Sequence, residues 1–127
     1  MDIGYAVDRT FTVGAADTAI AQGSGSLPVL GTPRLLAWCE EMTCAALADT
    51  MDPGWTSVGT RVELDHLAAS PVGELVRVRA EVAGVEGHRV ELRVVADQAR
   101  DGARELVARG LVTRVVVDID RFLDRFR

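Results

Sequence analysis

Residues 31 to 48, GTPRLLAWCEEMTCAALA, decide the fold, because they form the one long helix that the sequence predicts. Thr32 followed by Pro33 is typical of a helix start, with the threonine as N-cap and the proline in the first turn. The segment MDPGW then ends the helix, so we expect it to run to about Thr50.

Helical phase separates the two adjacent glutamates of this segment. At about 100° per residue, the predicted buried face consists of Leu35, Leu36, Cys39, Met42, Ala46 and Leu47. Glu41 points away from that face into solvent. Glu40 lies at its margin, where a carboxylate is costly unless another group meets it. Taken alone, Glu40 could still be an ordinary boundary residue.

The rest of the chain has the period-two pattern of β-strands. Four Val-rich strands are predicted at 56–68, 73–85, 88–98 and 103–118, and a first strand at 8–14. Two connections, EG at 86–87 and ARDG at 99–102, have the length and composition of hairpin turns, so the sheet should be mainly antiparallel. AQGSGSLP, at 21–28, predicts a loop, and IDRFLDRFR predicts a short terminal helix or tail.

This order of elements predicts one α+β domain over residues 1–127. A five-stranded antiparallel sheet would wrap around the long central helix, which is the hotdog fold. A single copy would leave sheet edges and one flank of the helix open, so we expect a homodimer.

Composition narrows the possible functions. The net charge is −5 and basic residues alternate with acidic ones, which argues against a nucleic-acid partner. Neither a signal peptide nor a membrane-spanning segment is predicted, so we expect a cytoplasmic protein with no membrane partner. Cys39 and Cys44 point about 140° apart on the helix and lack metal-ligand spacing. We expect two small buried residues there and no metal site.

A histidine accompanies Glu40 in the predicted arrangement. In the strand at 56–68, alternation places Val58, Thr60, Val62, Leu64 and His66 on one face, and Gly59, Arg61, Glu63, Asp65 and Leu67 on the other. His66 on an apolar face could be a core histidine, but it needs a partner, and Glu40 is a suitable one. Thr32 could act as a cap, or place its hydroxyl at the positive end of the helix dipole.

Three segments together, GTPRLLAWCEE, SVGTRVELDHLAASPVGELVRVRAEV and VEGHRVELRVVA, resemble the hotdog thioesterase family that includes the fluoroacetyl-CoA thioesterases, over about residues 28–120. The resemblance implies hydrolysis of a small or medium acyl-CoA to the free acid and CoA, with no cofactor beyond the CoA of the substrate. It assigns catalysis to Thr32, Glu40 and His66, and substrate binding to Gly59, near the thioester carbonyl. Gly31 and Thr60, which adjoin two of these positions, are grouped with substrate binding.

Several alternatives remain open from the sequence. Glu40 could attack the thioester, activate water or orient His66. The phenylalanines that cover the acyl pocket of the fluoroacetyl-CoA enzymes have no counterpart in AQGSGSLPVL, so we expect a different or broader acyl group. Asp65, a second candidate acid, ranks lower because it lies on the face opposite His66, and His88 is expected to be an exposed hairpin residue. The competing functions are a non-catalytic acyl-CoA or small-ligand binding protein, and a hydratase or dehydratase, whose D-x-x-x-x-H segment is absent.

Overall fold

Five antiparallel strands form one sheet in the order β1-β3-β4-β5-β2. The structure, a computed structural model, describes all 127 residues. The strands are β1 (Ala6–Thr12), β2 (Trp55–His66), β3 (Leu75–Glu86), β4 (Arg89–Arg100) and β5 (Ala103–Asp118). The helices are a 3-10 turn (Ala15–Asp17), α1 (Ala19–Gln22), α2 (Thr32–Ala48) and α3 (Ile119–Asp124). The predicted hotdog fold is therefore confirmed, with α2 as its central helix.

Two tight hairpins fix the register of the three middle strands. Gly87 and His88 connect β3 to β4, and Gly87 adopts a φ of 60°. This turn lies one residue later than predicted. Asp101 and Gly102 connect β4 to β5 with φ values of 50° and 80°. Two positive φ angles are what a type I′ turn needs, and Asp-Gly is among the dipeptides that adopt them most readily.

The buried face of α2 packs against the sheet. Its buried residues are Leu35, Trp38, Cys39, Met42, Thr43, Ala46 and Leu47. Five of the six predicted positions are buried, and Leu36 is only partly buried. Trp38 extends this face beyond the predicted arc because its ring stacks on Phe11 of β1, with 4.7 Å between centroids. The apolar side chains of β3 and β4 complete the core beneath the helix.

The start of α2 differs from the prediction, because Gly31 and not Thr32 is the N-cap. The amide of Leu35 donates to the carbonyl of Gly31 at 3.1 Å, so Thr32 already lies in the first turn. A Cβ on Gly31 would lie 3.1 Å from the Cα of Ala19, which explains why a glycine occupies the cap. The helix also ends at Ala48, slightly earlier than expected.

The segment before α2 is only partly a loop. The short helix α1 begins after Thr18, whose hydroxyl accepts a hydrogen bond from the amide of Ala21 at 3.2 Å. The prediction of an irregular segment is therefore wrong for residues 21 and 22, which close this single helical turn.

A β-bulge overturns part of the predicted alternation in β2. The register against β5 shifts between Gly59 and Arg61, so β2 carries one extra residue at that point. Val62, Leu64 and His66 lie on the helix side as predicted. On the N-terminal side of the bulge, the residues of β2 face the opposite way from the prediction. Gly59 therefore faces the helix, and Thr60 does not. A two-residue periodicity cannot anticipate an inserted residue.

The two cysteines are free thiols in different environments. Cys39 is buried, and its burial, helped by the nearby charge of Glu40, raises the pKa of the thiol to about 12. Cys44 is exposed, so the expectation that both are buried is wrong for this residue. No helix in the fold combines the length and apolar character needed to cross a bilayer.

Candidate active site

Glu40 and Glu41 have the different environments that helical phase predicts. Glu41 is exposed and forms an ion pair with Arg9 of β1. Glu40 points toward β2 and β5, with 36% of its side chain exposed. Its Oε2 lies 3.4 Å from Nη1 of Arg114, a residue of β5. The neighbouring glutamate thus belongs to the surface, whereas Glu40 belongs to a polar cluster under the helix.

Arg114 is the buried cation of this cluster, with only 7% of its side chain exposed. Its Nε donates to Oγ of Ser57 at 2.8 Å, and its Nη2 donates to the carbonyl of Ser57 at 3.0 Å. Two hydrogen bonds to one residue of β2 hold the guanidinium in a fixed orientation beside the carboxylate.

Sequence reasoning missed Arg114, although a signal for it exists. It occupies an inward position of β5 together with Val112, which is fully buried. An arginine in the apolar set of a strand needs a buried acceptor, and that requirement could have directed attention to Glu40.

Gly59 leaves room for the Glu40 carboxylate. A Cβ built on Gly59 would lie 2.7 Å from Oε2 of Glu40 and 3.4 Å from Nη1 of Arg114. Any side chain at this position would displace the carboxylate. The backbone of β2 is therefore open to Glu40 and to whatever binds beside it.

Thr32 and His66 form a second polar pair at the other end of the helix face. Oγ1 of Thr32 lies 2.8 Å from Nδ1 of His66. Nε2 of His66 is buried and has no hydrogen-bond partner. Val29, Leu30, Leu67, Ala68 and Ala69 surround the ring in an open, mostly apolar pocket of about 240 Å³. An imidazole with one free nitrogen in such a pocket can exchange a proton with a bound molecule.

Burial also sets the charge of His66. Desolvation lowers the pKa of the imidazole from its ordinary value of 6.5, and the backbone of Ala68 only partly opposes this effect. His66 is therefore neutral at pH 7. One of its ring nitrogens carries a proton and the other has a lone pair, and the bond to Thr32 selects between the two tautomers.

The structure does not join Glu40 to His66 by a hydrogen bond. The carboxylate pairs with Arg114 and the imidazole pairs with Thr32. Thr32 and Glu40 are eight residues apart, which places them about 12 Å apart along the helix and about 80° apart around it. Two polar pairs thus lie along one side of α2, in place of one Glu-His pair.

The remaining predicted positions lie elsewhere. Thr60 directs its hydroxyl toward the carbonyl of Thr113 at 3.4 Å and lies with Arg61 and Arg89 on the outer face of the sheet. Gly31 lies at the start of α2, packed against the backbone of Ala19 in α1. Asp65 is exposed on the outer face, opposite His66, as predicted. The structure therefore brings Glu40 and Gly59 together, and Thr32 and His66 together, but does not place Thr60 with either pair.

Comparisons with known proteins give one consistent relationship. Residues 13–120 match the family model for fluoroacetyl-CoA-specific thioesterases. The fluoroacetyl-CoA thioesterase of Streptantibioticus cattleyicolor is 34% identical over 99 residues, covering 78% of this chain and 68% of that protein.

Solved structures agree with this relationship. A point mutant of the fluoroacetyl-CoA thioesterase in complex with acetyl-CoA superposes with a TM-score of 0.88 at 28% identity, covering 100% of this chain and 97% of that one. A hot-dog-like protein from Thermanaerovibrio acidaminovorans gives a TM-score of 0.88 at 29% identity, covering 98% of this chain and 89% of that one.

The Arg114 contact is testable by unfolding. Arg114→Met should lower the free energy of unfolding by about 1–3 kcal/mol, because Glu40 and Ser57 lose their shared donor. Arg93→Met is the matched control, since Arg93 is exposed and makes no ion pair, and it should change stability by less than about 0.5 kcal/mol. In a urea-denaturation double-mutant cycle, Arg114→Met should cost less when Glu40→Gln is already present. An equal cost in both backgrounds would show that the contact contributes nothing.

The lowered pKa of His66 makes stability depend on pH. As the pH falls through 6.5, the unfolded chain takes up a proton at this position before the folded protein does, so stability should fall until the folded pKa is passed. NMR titration of the imidazole should give a pKa below 6.5, and urea midpoints should drop as the pH is lowered through 6.5. The drop should be smaller in His66→Asn. A titration at or above 6.5 would contradict the burial of this ring.

Proposed function

The chain belongs to the fluoroacetyl-CoA-specific thioesterase family, and we propose that Glu40, His66 and Thr32 are the residues with which it hydrolyses acyl-CoA. It is a thioester hydrolase, whose products are a free acid and the thiol of CoA. The observation that carries the proposal is the Glu40 carboxylate, which Arg114 orients toward the open backbone at Gly59. A thioester carbonyl placed against Gly59 lies within reach of that carboxylate.

Glu40 acts on the substrate directly in this mechanism. Its partner is Arg114, so it has no contact through which to orient His66. An oriented carboxylate can attack the thioester carbon and expel the CoA thiolate, which leaves an acyl-enzyme anhydride on Glu40. Water then hydrolyses the anhydride, which regenerates the carboxylate and releases the acid, and the thiolate takes up a proton to give the CoA thiol. It can alternatively take a proton from a water that attacks the same carbon.

His66 and Thr32 serve the acyl end of the substrate. The neutral imidazole has one unpartnered nitrogen, which can form a hydrogen bond to a polar group of the acyl chain or exchange a proton with it. Thr32 holds the ring through its hydroxyl, at the positive end of the helix dipole.

The acyl group is small or medium and is not restricted to fluoroacetyl. The pocket beside His66 is lined by aliphatic residues, and residues 20–30, which precede α2, contain no aromatic side chain. The pocket thus lacks an aromatic cover that would exclude larger acyl groups. No metal or separate cofactor is part of this proposal, and the cytoplasmic location remains a prediction from the sequence.

Adjacent glutamates provide a matched test of the catalytic assignment. Glu40→Gln should lower kcat on a panel of short, branched and aromatic acyl-CoAs by about 10²- to 10⁴-fold, because it removes the nucleophile or base. Glu41→Gln changes the same group one residue away on the exposed face and should leave kcat unchanged. His66→Ala should also lose activity. Thiol release is the measurement, and near wild-type rates in Glu40→Gln and His66→Ala would refute these roles.

Isotope labelling separates the two roles of Glu40. In a single turnover in ¹⁸O water, label in the Glu40 carboxylate, or an acyl adduct on Glu40 trapped by rapid acid quenching, indicates direct attack. Water attack gives neither and labels only the released acid. Mass spectrometry of the peptide containing Glu40 distinguishes the two routes.

We further propose that two copies associate along β2. This strand of 12 residues lies at the edge of the sheet, so one side of its backbone lacks a partner strand. Because Gly59 lies on the same strand, a second copy paired there would also form one side of the active site. Sedimentation velocity should give a particle of twice the 13.6 kDa chain mass. A particle of one chain mass at micromolar concentration would contradict the dimer.

A further inference from the structure

A second concavity, outside the residues used above, lies at the start of β2. It measures about 380 Å³ and is formed by β2, the turn between β3 and β4, and α3. Its principal residues are Trp55, His88, Asp118, Arg121, Phe122 and Arg125. The indole of Trp55 and the ring of His88 stack at 5.7 Å between centroids, nearly parallel at 7°. Trp55 and Phe122 remain 37% and 38% exposed, so flat aromatic surface is available to a ligand.

Two cations of this concavity have no anionic partner. Arg121 and Arg125 form no ion pair, although α3 contains acidic residues. The one carboxylate in the lining, Asp118, accepts a hydrogen bond from the amide of Arg121 at 3.0 Å and so caps α3. Unpaired guanidinium groups bind phosphate well, and exposed aromatic rings stack on nucleobases. The lining is therefore complementary to a phosphorylated purine nucleotide.

The position of this concavity relative to Glu40 points to the substrate itself. Trp55, Ser57 and Gly59 alternate onto the same face of β2, with no register shift between them. Four residues of strand separate Trp55 from Gly59 by about 13 Å. The pantetheine arm of CoA, with its two amide units, spans a distance of this order when extended. The pocket beside His66 lies in the opposite direction along the strand.

We propose that the concavity lined by Trp55, Phe122, Arg121 and Arg125 binds the phosphorylated adenosine end of the CoA substrate. The thioester then lies along β2, with its acyl group toward His66, its carbonyl beside Gly59 and its nucleotide on Trp55. The proposal rests on the acyl-CoA thioesterase function stated above.

A larger concavity of the fold fits this role less well. It measures about 650 Å³ and lies on the sheet face away from α2. Its arginines, Arg93 and Arg109, lie beside Glu63 and Asp65, and it contains no aromatic residue. A phosphate there would meet nearby carboxylates and would be on the wrong face of the sheet. Its arginines provide a matched control.

The decisive experiment compares a full substrate with a truncated one. The substrates are the acyl-CoA that the wild type hydrolyses fastest and the N-acetylcysteamine thioester of the same acid, which lacks the nucleotide. In Arg121→Ser/Arg125→Ser, KM for the acyl-CoA should rise about tenfold or more while kcat and the kinetics of the truncated thioester stay unchanged. Trp55→Ala should give the same selective rise through loss of stacking. Arg93→Ser/Arg109→Ser removes the same charge from the outer face and should change neither substrate.

Each result decides the proposal. An unchanged KM for acyl-CoA in the Arg121/Arg125 variant, or an equal loss on both substrates, would overturn the nucleotide site while leaving the thioesterase assignment intact. If the wild type hydrolyses neither substrate, the proposed function fails. Calorimetric titration with free CoA then tests the nucleotide site separately. The wild type should bind CoA about tenfold more tightly than the Arg121/Arg125 variant, and equal binding would overturn the nucleotide site.

Discussion

The close packing of α2 against β2 at Gly59 is the constraint on which the rest of the site depends. At this point the carboxylate of Glu40 occupies the space that a side chain on β2 would need. The bulge turns Gly59 inward, opposite Arg114, which already faces inward by the regular alternation of β5. One inserted residue thus places an empty backbone position beside the cation and opposite one glutamate. Without it, Thr60 would face the helix at this level.

Arg114 solves a physical problem that the helix creates. A carboxylate at the margin of an apolar face loses solvation, and a buried cation is stable only if its donors find acceptors. Arg114 meets both conditions, because it donates two hydrogen bonds to Ser57 and a third to the carboxylate of Glu40. A pair of apolar side chains would pack at the same place without such requirements. The polar cluster is therefore better explained by the chemistry of the site than by the stability of the fold.

The sequence predicts most of the fold because its periodicities are strong. Val-rich alternation locates four strands, and Asp101-Gly102 fixes a hairpin through its turn preference. Helical phase separates Glu40 from Glu41 because their difference depends only on α2. The hydroxyl of Thr32 is less predictable, since the choice between capping the helix and bonding His66 depends on a strand 34 residues away. The bulge is harder still, because it depends on the register of β2 against β5, whereas the inward position of Arg114 follows from the alternation of β5 alone.

The separation of the two polar pairs changes how the site can work. An imidazole in contact with a carboxylate gains stability when protonated, and would tend to carry a positive charge. Here Arg114 supplies the charge opposite Glu40, and the side chain that bonds to His66 is the uncharged hydroxyl of Thr32. Burial then lowers the pKa of the ring with no adjacent anion to offset it. The fold thus provides a charged carboxylate and a neutral imidazole on the same helix face, each free to act on a different atom of one bound thioester.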